Sequence, residues 1–130
     1  MLCGIINTQV RDARLSSAHD DGGDALWPVL SSVVRPDEVL AFTMCNPPFF
    51  ESLDEAGRNP GTACGGTPAE MVHPGGEVAF ISRHVEESRR AEIASRVTWF
   101  TTLCGKKATL RAITQQLRAA RVQEIGRAHV

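Results

Sequence analysis

Residues Glu38-Val39-Leu40-Ala41-Phe42-Thr43-Met44-Cys45 form a short, nearly continuous apolar run that Asn46-Pro47-Pro48 stops abruptly. A run of this length without alternation reads as a parallel strand covered on both faces. A second run, Val97-Thr98-Trp99-Phe100-Thr101-Thr102-Leu103-Cys104, is rich in β-branched and aromatic residues and predicts another strand. Between them, Glu77 to Ser95 reads as a helix, with Val78, Ile81 and Val85 recurring at three and four residues and Glu77 at the positive end of the dipole. After the turn Gly105-Lys106-Lys107, Ala108 to Ala120 predicts a second helix with Leu110, Ile113 and Leu117 on one stripe. Strand, crossover helix, strand, helix is the pattern of a parallel sheet in an α/β fold.

The flanks carry weaker signals. Residues 11–25 are small and polar and read as a loop, preceded by a short strand over Ile5–Val10. Ala25–Val34 predicts a short helix ending near Arg35-Pro36, because the residue before proline is pushed out of the α region. Residues 51–76 are rich in glycine and hold three prolines, so they read as one long loop, a form uncommon unless it serves a site.

The 130 residues suffice for one domain with a modest core. No stretch approaches the ~18 apolar residues of a membrane-spanning helix, and the N-terminus lacks the basic and apolar regions of a secretory leader. Cys3, Cys45, Cys64 and Cys104 are scattered, with no Cys-x-x-Cys pair and no histidine at zinc spacing. They read as free thiols rather than a disulfide scaffold or a metal site. The net charge of −1 hides an acidic first half and a basic second half. Such a half can face a polyanion, although solvated helix faces account for it as well.

The residues that carry chemistry follow the first strand. In open α/β sheets ligands bind outside the carboxyl ends of the strands, where Asn46-Pro47-Pro48-Phe49 sits. A strand stopped by prolines, with Phe49 in the core, accounts for the same four residues in purely structural terms. The chemical alternative is specific. An exocyclic amine on adenine is a poor nucleophile because its lone pair is delocalised into the ring. The Asn46 side-chain oxygen and the Pro47 carbonyl can each accept one amino hydrogen, and two prolines stiffen the turn that holds them. The lone pair can then point at a methyl sulfonium while Phe49 stacks on the flipped base. Neither a metal nor a strong general base is required.

Between Val39 and Val122 the chain resembles the family of methyltransferase-like protein 16, the RNA adenine-N6 methyltransferases. The bacterial large-subunit ribosomal RNA adenine-N6 methyltransferases are more distant relatives. The resemblance is carried by Met44-Cys45-Asn46-Pro47-Pro48-Phe49-Phe50, Arg58-Asn59-Pro60, Gly65-Gly66 and Gly75-Gly76-Glu77-Val78-Ala79-Phe80-Ile81. Trp99-Phe100, Leu103-Cys104-Gly105-Lys106-Lys107 and Leu110 continue it, the Gly-Lys-Lys block resembling the eukaryotic branch more. The resemblance implies S-adenosylmethionine as cofactor, with Asn46, Pro47, Pro48 and Phe49 as catalytic residues and Asn46 also beside the cofactor. It implies that Phe50, Arg58 and Asn59 border an RNA channel and that Lys106 and Lys107 contact phosphate, a solvated turn accounting for two lysines equally well. The implied partner is a structured RNA with an unpaired adenosine, U6 small nuclear RNA or ribosomal RNA, met in the nucleus or cytoplasm, with no membrane and no metal. His73 reads as a loop residue, His84 as a helix-face residue, and Cys45 and Cys104 as buried small hydrophobes.

The implied fold is a partial Rossmann-like class I methyltransferase fold. The Gly-rich cofactor loop of its N-terminal half is not recognisable, since Asp21-Gly22-Gly23-Asp24 follows no buried strand, and the last strands are missing. Residues 1–24 are expected to be poorly ordered and residues 25–123 to form the partial domain. Glu124–Val130 looks like a translated sequencing adapter. Half a sheet leaves an uncovered apolar face, so the isolated chain is expected to fold poorly and lack activity. Two alternatives stand beside this reading: a glutamine-amide methyltransferase, which uses a similar turn, and a non-catalytic RNA- or partner-binding remnant of the fold.

Overall fold

The computed structural model describes residues 28–58, 67–122 and 125–127. The apolar run forms β1, Leu40–Cys45, and the second run forms β2, Val97–Thr102. They pair in parallel, with Phe42 opposite Trp99, Thr43 opposite Phe100 and Cys45 opposite Thr102. The expected strands on Ile5–Val10 and the loop at 11–25 lie outside the described residues, as do Asn59, Pro60 and residues 61–66.

The structure departs from expectation in three places. The stretch over 51–76 is not one loop, because it holds α1, Leu53–Gly57, and α2, Pro68–Met71. Each is nucleated by a cap: the Ser52 hydroxyl accepts the Glu55 N–H at 3.3 Å, and Glu70 reaches back to the Thr67 N–H at 2.7 Å. The helix expected over Glu77–Ser95 is two helices, α3, Gly76–Ser88, and α4, Ala91–Ala94. The Ser88 hydroxyl donates to the Val85 carbonyl at 2.8 Å and the extended Arg90 restarts the chain as the cap of α4. Third, the described part of Ala25–Val34 is a single turn rather than a helix, closed by the Val33 and Val34 N–H groups on the Leu30 carbonyl. The last helix, α5, runs Lys107–Ala119, one residue from its expected bounds.

Helix α3 organises the packing. Ile81 and Val85 are buried with Cys104 and Ile113, and Leu110 and Leu117 of α5 pack against them. Val78, expected on the same stripe, is instead exposed. A second cluster joins Leu30, Val34, Ile93 and Val97. Two glycines set the entry to α3: Gly75 and Gly76 both have positive φ, and a Cβ on Gly75 would stand 2.7 Å from the Ala79 Cβ.

Phe100 lies on the covered sheet face, where its ring meets the His84 ring edge-on at 6.2 Å. Side chains alternate along a strand, so Phe42 and Trp99 share the opposite face. They are 56% and 47% exposed. The strand expected to be covered on both faces is therefore covered on only one among the described residues.

Helix α3 also places three polar groups inward. Glu87 is fully enclosed and its carboxylate accepts the N–H groups of Val29, Leu30 and Ser31 at 2.8–3.2 Å, together with Arg83 Nε at 2.9 Å. Burial raises its pKa, but these donors outweigh burial and hold it at about 2. His84, expected on the helix surface, is 2% exposed, and its Nε2 has no hydrogen-bond partner. Burial lowers its pKa to about 4, against a small opposing pull from Glu87.

His84 makes the fold acid-sensitive. With a folded pKa of about 4 against 6.5 unfolded, the unfolded chain binds the extra proton between those values. Stability is full above pH 6.5 and falls by up to about 3 kcal/mol as pH drops towards 4. Glu87 adds to the loss only below pH 4.5. Urea midpoints measured from pH 7.5 to 4.5 should decline steeply for the natural chain and much less for His84→Leu, the remaining slope coming from His73, whose pKa burial also lowers. A natural chain with a flat profile contradicts the buried neutral imidazole.

Candidate active site

The site is the turn at the carboxyl end of β1. Asn46 is exposed, Pro47 is fully buried, Pro48 is buried and Phe49 is half-buried. The two prolines are thus the wedge that seats the turn, and Asn46 is the residue it presents. Among the described residues, no donor reaches the Pro47 carbonyl and the Asn46 amide makes no hydrogen bond. Two acceptors of neighbouring residues are therefore unengaged on one stiffened turn.

The chain then makes a β-like contact. The Phe50 N–H donates to the Met71 carbonyl at 3.1 Å, and the His73 N–H donates to the Phe50 carbonyl at 3.0 Å. His73 lies in a loop as expected, yet it is buried, its ring edge-on to Phe80 at 5.3 Å. Burial lowers its pKa, partly offset by the backbone at Pro74.

The turn after β2 is drawn to the same place. Gly105 lies so close to Phe49 that a Cβ would stand 3.0 Å from the aromatic ring and 3.1 Å from Glu77 Oε1. The buried Glu77 carboxylate accepts the N–H of Gly105 and, at 3.2 Å, that of Lys106, the N-cap of α5. A carboxylate there complements the positive end of the helix dipole. The blocks Gly75-Gly76-Glu77 and Gly105-Lys106 thus lock together, and Phe49 packs on the joint.

Of the residues expected to meet RNA, Lys106 sends its Nζ to Glu55 Oε1 at 3.1 Å on the surface. The Glu51 N–H, and then Lys106, hold the Glu55 carboxyl below its ordinary value. Lys107 is exposed at the start of α5, and Arg58 is exposed at the end of α1. Phe50 is half-buried, and Asn59 lies outside the described residues. Cys45 and Cys104 are buried thiols as expected, and burial pushes Cys45 up to about 11. Sequence reasoning missed Glu77 and Glu87 as anchors, since each grips backbone far away in the chain. The one available signal was an acid at a helix position facing the core. No group of metal-ligating side chains occurs among the described residues, and no described helix is long and apolar enough to cross a membrane.

The residues 25–130 match the family model of RNA methyltransferases. A ribosomal RNA large subunit methyltransferase F of Flavobacterium johnsoniae is 36% identical over 107 residues, covering 69% of this chain and 33% of its own length. The protein of the same name from Pseudomonas fluorescens is 36% identical over 113 residues, and that from Aeromonas salmonicida 32% over 109. They cover 74% and 75% of this chain, and 33% and 34% of their own lengths. The chain thus spans about a third of the curated relatives it matches. Their names fall in the bacterial large-subunit branch rather than the one the Gly-Lys-Lys block favours. The chain belongs to the RNA methyltransferase family.

Proposed function

We propose that this chain is the acceptor-binding part of an enzyme that methylates adenine N6 in RNA, using S-adenosylmethionine. The observation that carries the proposal is the exposed, unengaged Asn46 side chain on a turn whose prolines are buried. Asn46 is suited to take one hydrogen of an exocyclic amine, and a base pressed onto the turn would find the Pro47 carbonyl beneath it for the other, which fixes the lone pair in one direction. Positioning of this kind lowers the barrier by removing rotational freedom rather than by acid–base chemistry. Phe49, braced by Gly105, offers an aromatic edge for the base, and the uncharged turn leaves the amine undisturbed by a competing base.

S-adenosylmethionine, when bound, supplies an electrophilic methyl group. The described residues fit the receiving end of that transfer at Asn46, and no glycine-rich strand-to-helix turn that would hold the donor occurs among them. Ribosomal RNA is the favoured substrate because the relatives named above carry it in their names, and they lend no support to U6 small nuclear RNA. The match to an RNA methyltransferase family favours RNA over a glutamine amide.

The test uses a longer protein that carries this segment. Incubated with S-adenosylmethionine and ribosomal RNA, it should yield N6-methyladenosine in the digested RNA by mass spectrometry. Methylation at another base or at the ribose would refute the assignment to N6.

A further inference from the structure

Helix α5 carries Lys107, Arg111 and Arg118 and no acidic residue. The three cations recur at four and seven residues, so they fall along one side of the helix, about 16 Å from first to last. They line a groove of about 540 Å³ with Gln115 and Leu110, and Arg127 of the adapter-like tail stands at it without belonging to the helix. Lys107, Arg111 and Arg118 are exposed, and none pairs with a carboxylate among the described residues. On α3, by contrast, Arg83 is bound to Glu87. Unpaired cations along one acid-free helix face are an electrostatic track for a polyanion. The track begins at Lys107, next to the Gly105-Lys106 turn that packs against Phe49.

We propose that this groove on α5 holds the phosphate backbone of the RNA strand flanking the target base, with Arg111 and Arg118 as its principal contacts. The proposal rests on the RNA reading above and extends it to residues that the turn itself does not include. A strand leaving the Asn46 turn over Gly105 meets Lys107 first, then Arg111 and Arg118 along the helix. Leu110 and the stem of each arginine give the sugar edge an apolar floor.

Fluorescence anisotropy of the 130-residue chain with a labelled single-stranded RNA of about twenty nucleotides, over a series of salt concentrations, tests this. The Arg111→Ala/Arg118→Ala variant should bind about tenfold more weakly. Its slope of log affinity against log salt should flatten by about 1.4, two phosphate contacts at ~0.7 each on a single strand. Arg111→Lys/Arg118→Lys should keep the natural slope. Both arginines are exposed, and unchanged circular dichroism would show that the variants fold alike. Unchanged affinity and slope in the alanine variant would overturn the proposal, and so would a natural chain that does not bind the RNA. A longer protein carrying this segment that still forms N6-methyladenosine, with RNA affinity indifferent to both arginines, would sink the groove and leave the methyl-transfer reading standing.

Discussion

Glu87→Gln should lower the unfolding free energy of the chain by about 3 kcal/mol, the scale of hydrogen bonds to a buried charge. The carboxylate is fully enclosed and takes the N–H groups of Val29, Leu30 and Ser31 on one side and Arg83 Nε on the other. A glutamine amide keeps the shape, but its NH2 faces a donor whichever way it turns. Either the backbone N–H groups or the Arg83 guanidinium then lose their acceptor, and Arg83 also loses its counter-charge. Glu86→Gln, on the exposed side of the same helix, should change stability by less than ~0.5 kcal/mol. Urea unfolding followed by circular dichroism compares the two. Equal shifts in midpoint would mean that Glu87 contributes only helix charge and does not anchor the segment before β1.

The second large effect concerns chemistry. In a longer protein carrying this segment, Asn46→Ala should reduce methyl transfer at least ~100-fold while RNA affinity stays within a few fold. The side chain supplies one acceptor to an amine and little contact area, so its loss is felt where the amine must be oriented. Phe49→Ala should hurt both rate and affinity, since the ring offers stacking area and also fills the space against Gly105. Single-turnover transfer and equilibrium RNA binding separate the two cases. If Asn46→Ala lost binding in proportion to rate, Asn46 would be a binding residue and the orientation argument would fall.

What was legible in the chain follows from the range of the forces involved. The strands at Leu40–Cys45 and Val97–Thr102 and the helix at Lys107–Ala119 are set by hydrophobic patterning within a few residues of each position, and a short window suffices to see them. The turn Asn46–Phe49 is equally local. The helices at 53–57 and 68–71 escaped because each is about one turn, too short for periodicity, and owes its start to a single capping side chain. The break after Ser88 escaped because a hydroxyl, not a proline or glycine, ends the helix. Glu77 and Glu87 escaped for a different reason. Their partners are 28 and 57 residues away for Gly105 and Leu30, and those partners are peptide groups that every residue type carries. His84 escaped with them, since its burial depends on Phe100 of the neighbouring strand.

Both anchoring glutamates grip main-chain amides rather than side chains, which bears on how such a protein drifts over generations. Position 29 is held by its N–H, so any residue type but proline can occupy it without loosening the grip, whereas Leu30 also packs in the core and Lys106 also pairs with Glu55. The shapes of two separate loops are thus inherited through a single helix, α3, which reads their backbones rather than their side chains.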